Sequence, residues 1–292
     1  MTPTNRVLVL DTNVMQYAPA ALLQVLAGRG YRLRVSIIAI EERMARSSRE
    51  GVDKLRARLG NISRFIDGES PIAPLGSPFH ATLGIIDGDP SRRRGDDDYN
   101  AALPGKWANL IGTGELIGWQ EQASGMDTSI NRLAAIVRSA VTQQGAIPKD
   151  GVTYGEVLRE TRATFVKDPV VVRFGTCRLD GHISRLARIL FDAPVLPTDN
   201  DVEDLALLQH LADDVILVTG DHRSIVALDE TGSMQAPFVR SPWEIVEGIV
   251  PDGPPWGLTA AEALAGHIPR TLDSLQAVAA VARPKLPARP GL

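Results

Sequence analysis

The first apolar run of the chain, Val7-Leu8-Val9-Leu10, does not alternate with polar residues and stops at Asp11. Such a run predicts a short strand covered on both faces, because a strand with one wet face would alternate. Residues 17–26 carry apolar side chains at helical spacing, Gly28 and Gly30 close that helix, and residues 33–40 read as a second strand. Strand, helix, strand over this length is a βαβ unit. Residues 41–59 predict a helix rich in Arg, Glu, Met and Leu, with 62–66 as an extension.

The pattern then breaks. Residues 68–105 are rich in Gly, Pro, Ser and Asp, include Arg92-Arg93-Arg94 and Asp96-Asp97-Asp98, and predict an irregular loop. Helical spacing resumes at 129–142, 154–166 and 183–191. After Pro197, Asp199 or Asn200 can cap a helix through residue 211; residues 215–219 form a second buried-type strand and 238–240 a last short one. Beyond Pro251 come helical stretches near 259–265 and 272–282 and a Pro-rich end expected to be disordered.

The expected fold class is therefore α/β with a central parallel sheet. Residues 1–67 and 190–250 form its discontinuous core, 68–189 a loop and mainly helical insertion, and 251–292 a helical and Pro-rich tail.

Composition narrows the classes. With 292 residues and 44% hydrophobic content the chain can bury a large core plus a second unit. It has no long apolar run of membrane-spanning type and no leader-like start, so a cytoplasmic location without membrane contact is expected. Cys177 is the only cysteine, which excludes an intramolecular disulfide and a site of several thiolates. The net charge of −4 gives no overall footprint for nucleic acid, so any such contact must be local. Two basic groups exist: Arg43, Arg46, Arg49, Lys54, Arg56, Arg58 and Arg64, then Arg178, Arg185 and Arg188. The bland reading of such runs is a solvated helix face.

Ligands of open parallel sheets sit outside the carboxyl ends of the strands. Asp11 follows the first strand, Glu42 lies just after the second, Asp221 follows the strand at 215–219, and Asp204 lies in the first turn of the helix before it. Singly, each has a structural reading as a helix cap or a first-turn acid. Gathered at one edge, four carboxylates would repel one another and raise their own pKa values unless a cation held them. Oxygen donors without clustered His or Cys suit Mg²⁺ or Mn²⁺. The histidines, His80, His182, His210, His222 and His267, show no ligand spacing, and His210 is expected to be structural. Neither a P-loop nor a nucleophile elbow occurs, and Asn13 stands where an Asp-x-Asp phosphatase would need its second acid.

The segments VLVLDTNVM, IIAIEERMAR, DNDVEDLALLQHL and VILVTGDHRSI resemble, in order and spacing, the four signature blocks of the PIN domain family. The resemblance implies an α/β/α sandwich and a metal-dependent ribonuclease with Asp11, Glu42, Asp204 and Asp221 as its acids, the metal held by Asp11, Asp204 and Asp221. Asp201, one helical turn before Asp204, competes for the third position, and Glu41 is the neighbour of Glu42. Asn13 and Thr219 would support the site. Arg43, Arg46 and Arg49 would contact substrate phosphates. The expected activity is endonucleolytic hydrolysis of single-stranded RNA with Mg²⁺ or Mn²⁺. The alternatives are a DNA nuclease of the same fold and a catalytically silent module that binds nucleic acid or protein. The expected partner is RNA or DNA; self-association and a protein partner for the helical insertion stay open.

Overall fold

A computed structural model of the chain describes residues 6–47, 49–73, 91–112, 116, 151–166, 180–181, 184–185, 187–188, 204, 206–211, 215–221, 225, 228–230, 232–233 and 235–248. Five strands, β1 (Val7–Leu10), β2 (Arg32–Ser36), β3 (Ile72–Ala73), β4 (Val215–Val218) and β5 (Val239–Arg240), form one sheet in the order β3-β2-β1-β4-β5, every pair parallel. Every residue of β1 is buried, as its unalternated run requires of the central strand. The sheet runs outward from β1 in both directions. Its topological switch point therefore lies between β1 and β4, where successive connections leave towards opposite edges.

Helices flank this sheet, and their boundaries correct several expectations. The helix expected at 17–26 is two: α1 (Thr12–Tyr17) and α2 (Ala20–Gly28). The break falls where Pro19 forces the preceding Ala18 out of the helical region, at ψ 130°. The strand expected at 33–40 stops at Ser36, and Ile37–Arg46 is α3. Ser36 ends the strand because its side chain accepts a hydrogen bond from the Ala39 amide at 3.2 Å, capping α3. Its hydroxyl also lies 2.9 Å from Nε2 of buried His210. The β-branched run Ile37-Ile38-Ala39-Ile40 is thus a buried helical start, its strand propensity overridden by capping and burial.

The helix expected at 41–59 breaks at Ser47, which is extended, and resumes as α4 (Arg49–Ile62). The irregular loop expected at 68–105 contains β3 and most of α5 (Ser91–Ile111), with Pro104 inside the helix. Composition misleads there because tertiary packing holds α5: Leu103, Trp107 and Leu110 are buried in the same apolar cluster as the sheet. That cluster consequently extends into the segment expected to be an insertion. A separate small cluster of Val157, Leu158 and Ala187 involves α6 (Tyr154–Val166). The last described helix is α7 (Pro242–Val246), opened by a reciprocal capping box between Ser241 and Glu244. The expectations at 129–142 and beyond 251 lie outside the described residues. Among those described, no helix is long and apolar enough to cross a membrane.

Part of the first basic group is structural. The guanidinium of Arg58 donates to the carbonyls of Met15 at 2.8 Å and Ala18 at 2.5 Å, satisfying the C-terminal end of α1. Arg56 donates to Leu110 at 3.1 Å and Asn109 at 3.3 Å at the end of α5. Unsatisfied carbonyls and the negative end of the helix dipole make both good anchors for a cation. Lys54 pairs with Glu50 one turn away on an exposed face, and Arg64 lies over the Phe65 ring.

Candidate functional site

Parallel register alone sets up the site. Leu10 pairs with Val35 on one side and Val218 on the other, so the next residues in each strand, Asp11, Ser36 and Thr219, come level at the carboxyl edge. The ladder continues one step as the Asp11 amide donates to the Val218 carbonyl at 3.0 Å.

Asp11 is 4% exposed. One of its carboxylate oxygens accepts from the Thr12 amide, which makes it the cap of α1, and the other accepts from the Thr219 hydroxyl at 2.6 Å. Thr219 in turn accepts from the Asp221 amide at 2.9 Å, so a single hydroxyl fixes both the acid after β1 and the loop that carries the acid after β4. Glu42 reaches the same place from α3 and accepts from the Thr12 hydroxyl at 2.8 Å. Gly220 permits the close approach, because a Cβ there would stand 3.3 Å from that of Asn13.

Electrostatics ties the three acids together. Burial pushes the Asp11 carboxyl above its ordinary value, the hydrogen bonds from Thr219 and Thr12 oppose this, and the charges of Glu42 and Asp221 push it further up. Carboxylates from positions 11, 42 and 221 therefore share one field at the switch point. Thr12, not singled out among the site residues from sequence, is the link between Asp11 and Glu42; its place inside Asp-Thr-Asn was the available signal.

The remaining candidates fall elsewhere or stay undescribed. Asp204 forms an ion pair with Arg185 at 3.1 Å, and among the described residues the carboxylates acting on Asp11 are Glu42 and Asp221. Asp201 lies outside the described residues, as do the side chains of Arg46 and Arg49. Arg43 is half-buried on α3 beside Glu42. Of the two adjacent glutamates, Glu41 is buried and acts on Lys106 of α5, whereas Glu42 faces Thr12. Adjacent helical residues point in different directions, which separates the pair.

The donor chemistry suits a hard cation, since carboxylates and hydroxyls predominate and the like charges would be relieved by one. Among the described residues, however, no three of the His, Cys, Asp and Glu side chains converge on a single ion position.

The bridge through Thr219 is open to test. Thr219→Val leaves the Asp11 carboxylate and the Asp221 amide without their shared hydroxyl, at a cost of about 1–3 kcal/mol, while Thr219→Ser keeps it. Urea denaturation should place serine near the parent and valine well below it.

No family model, curated protein or solved structure matches this chain, so its function must be read from its own residues and geometry.

Proposed function

We propose that the chain is a divalent-metal-dependent nuclease of PIN-like type that hydrolyses phosphodiester bonds in single-stranded RNA. The observation that carries this reading is the juxtaposition of Asp11, Glu42 and Asp221, in which a carboxyl raised first by burial is raised further by two carboxylates drawn from separate parts of the chain. Such a cluster costs stability in a protein that has no use for it. The resemblance of the surrounding segments to the PIN signature blocks adds the reaction class.

Asp11 and Asp221 would hold the cation and Glu42 would position water beside it, with Thr12 and Thr219 fixing two of the carboxylates by hydrogen bonds. A bound Mg²⁺ or Mn²⁺ supplies an activated water and neutralises phosphate charge. The protein's own contribution is positioning: Thr219 orients Asp11, and its contact with the Asp221 amide keeps the loop after β4 against β1. Asp204 and Asp201 remain the candidates for a further acid, Asp204 being balanced by Arg185. Arg43, Arg46 and Arg49 are the proposed phosphate contacts.

A catalytically silent nucleic-acid-binding module is the second reading. It is favoured by the ion pair that occupies Asp204 and by the lack of a converged set of three ligands among the described residues. Single-stranded RNA and DNA of one sequence, incubated with the purified chain in Mg²⁺, Mn²⁺ or chelator, separate the readings. Internal cleavage of RNA that chelator abolishes is expected. Cleavage of DNA alone would make it a DNA nuclease, and binding without cleavage in either metal would leave the silent module.

A further inference from the structure

A groove of about 460 Å³ opens beside the acid cluster, with Asn13, Gly220 and Asp221 in its wall. That volume falls within the range of small-ligand sites. Val14 and Leu22, both buried, contribute apolar surface. Two aromatic side chains line the same groove and yet stand in solvent: Tyr17, the last residue of α1, is 75% exposed, and Trp243, in the first turn of α7, is 60% exposed. Neither belongs to the core cluster, whereas Trp107 and Phe238 are buried in it.

We propose that this groove is a stacking subsite for an unpaired nucleobase of the strand whose backbone reaches Asp11 and Asp221. The proposal rests on the nuclease reading for its neighbour, but not on catalysis. A nucleobase has an apolar π-face and a polar edge, and the groove offers matching surfaces. The ring faces of Tyr17 and Trp243 supply stacking area, and the Asn13 amide supplies a donor and an acceptor at the end nearest the acids. A wholly apolar occupant would cover the polar Asn13 amide without offering it a hydrogen bond, at a cost. A base inside a duplex has both faces covered by its neighbours, so this site takes single strands.

Two arginines bond to elements that line the groove. Arg58 donates to the carbonyl of Ala18, which lines the groove, and Arg29 donates to the Ile245 and Val246 carbonyls at the end of α7, the helix that carries Trp243. Both guanidinium groups serve as helix caps. They partly offset the carboxylates for an approaching backbone.

The test is equilibrium binding in chelator, where no strand is cut. The probes are unstructured oligouridylate and oligoadenylate, the same RNA annealed to its complement, and an abasic oligomer of equal length. The single strands should bind and quench the part of the fluorescence that Trp243→Ala removes. The duplex and the abasic oligomer should bind at least about tenfold more weakly. Tyr17→Ala and Trp243→Ala should each weaken single-strand binding by roughly five- to a hundredfold with unchanged melting temperature, and Trp243→Phe should recover most of the loss.

The subsite is overturned if the parent binds no single strand, if the abasic oligomer binds as well as RNA, or if both alanine variants bind like the parent. It is equally overturned if sedimentation shows that the alanine variants merely convert a dimer into monomers. Metal-dependent cleavage with binding untouched in both variants would remove the subsite and leave the nuclease reading. Base-dependent binding that both variants weaken, in a chain that never cleaves, would do the reverse.

Discussion

Asp11→Asn is expected to abolish metal-dependent cleavage, by about a thousandfold or more, while making the metal-free protein more stable at neutral pH. The loss follows from position. Asp11 is the buried member of the acid cluster, and a metal centre contributes several kcal/mol to hydrolysis, each 1.4 kcal/mol being about tenfold in rate. Asparagine keeps the oxygen that caps α1 but not the charge.

The gain in stability follows from the direction of the pKa shift. Burial, then Glu42 and Asp221, hold the folded-state value of Asp11 above its ordinary 3.8. The folded state therefore binds this proton more tightly than the unfolded chain. Its contribution to stability is fully present below pH 3.8 and is lost as pH rises through the raised value. Thermal melts in chelator across that window should show the parent falling away from Asp11→Asn as pH increases. Added Mn²⁺ should close the gap by stabilising the parent alone. A variant that melts below the parent at neutral pH in chelator would mean that Asp11 serves the fold as an ionised cap, and the cluster would lose its functional argument.

Leu8→Ala is expected to do the opposite. Leu8 is fully buried in β1, the central strand, and lies three residues before Asp11. Removing a core leucine costs about 2–5 kcal/mol, the spread reflecting how far the surroundings collapse into the cavity. Urea denaturation should show a lower midpoint with an unchanged slope. Below that midpoint, cleavage per folded molecule should stay near the parental value, because the hydrogen bonds that place Asp11 come from Thr12 and Thr219 rather than from the Leu8 side chain. Full loss of cleavage in a folded Leu8→Ala protein would show that the acid site depends on core packing more than on its local contacts.

The contrast between these variants reflects the division of labour in β1. Its apolar side chains hold the sheet, and the residue that follows them carries the chemistry. The neighbouring strand ends are used differently. At the end of β2, Ser36 caps α3 and meets His210, which gives that histidine the structural role its sequence context suggested. After β4, Thr219 and Asp221 join the acid cluster. Ser36 and Thr219 flank Asp11 at the same level, one serving the fold and the other the site.

Strand type was legible in the chain because burial on both faces leaves a direct trace: an unalternated apolar run as short as Val7-Leu8-Val9-Leu10 or Val215-Ile216-Leu217-Val218, rich in valine and bounded by polar residues, fits a strand buried in a parallel sheet. The acids at 11 and 221 were legible for the same reason, since each sits at or just past the end of such a run. Helix limits were less so. Ile37 to Ile40 looked like strand because its composition is β-branched, and only the Ser36 cap with its His210 contact decided otherwise. The segment around α5 looked irregular because Gly, Pro and Asp lower local propensity, whereas Leu103, Trp107 and Leu110 gain burial against distant partners.

The amino-acid sequence by itself determined the parallel α/β class and the acids that follow β1 and β4, because hydrophobic periodicity and strand termination are local properties of the chain; Glu42, expected just after the second strand, instead lies within α3. The tertiary structure decided the rest. It chose Glu42 over Glu41 as the partner of Thr12, committed Arg56 and Arg58 to helix ends, paired Asp204 with Arg185, and set Tyr17 and Trp243 along one groove. Each of these depends on which residues far apart in the chain are brought within a few ångströms, and hydrogen bonds and charge interactions act only over such distances.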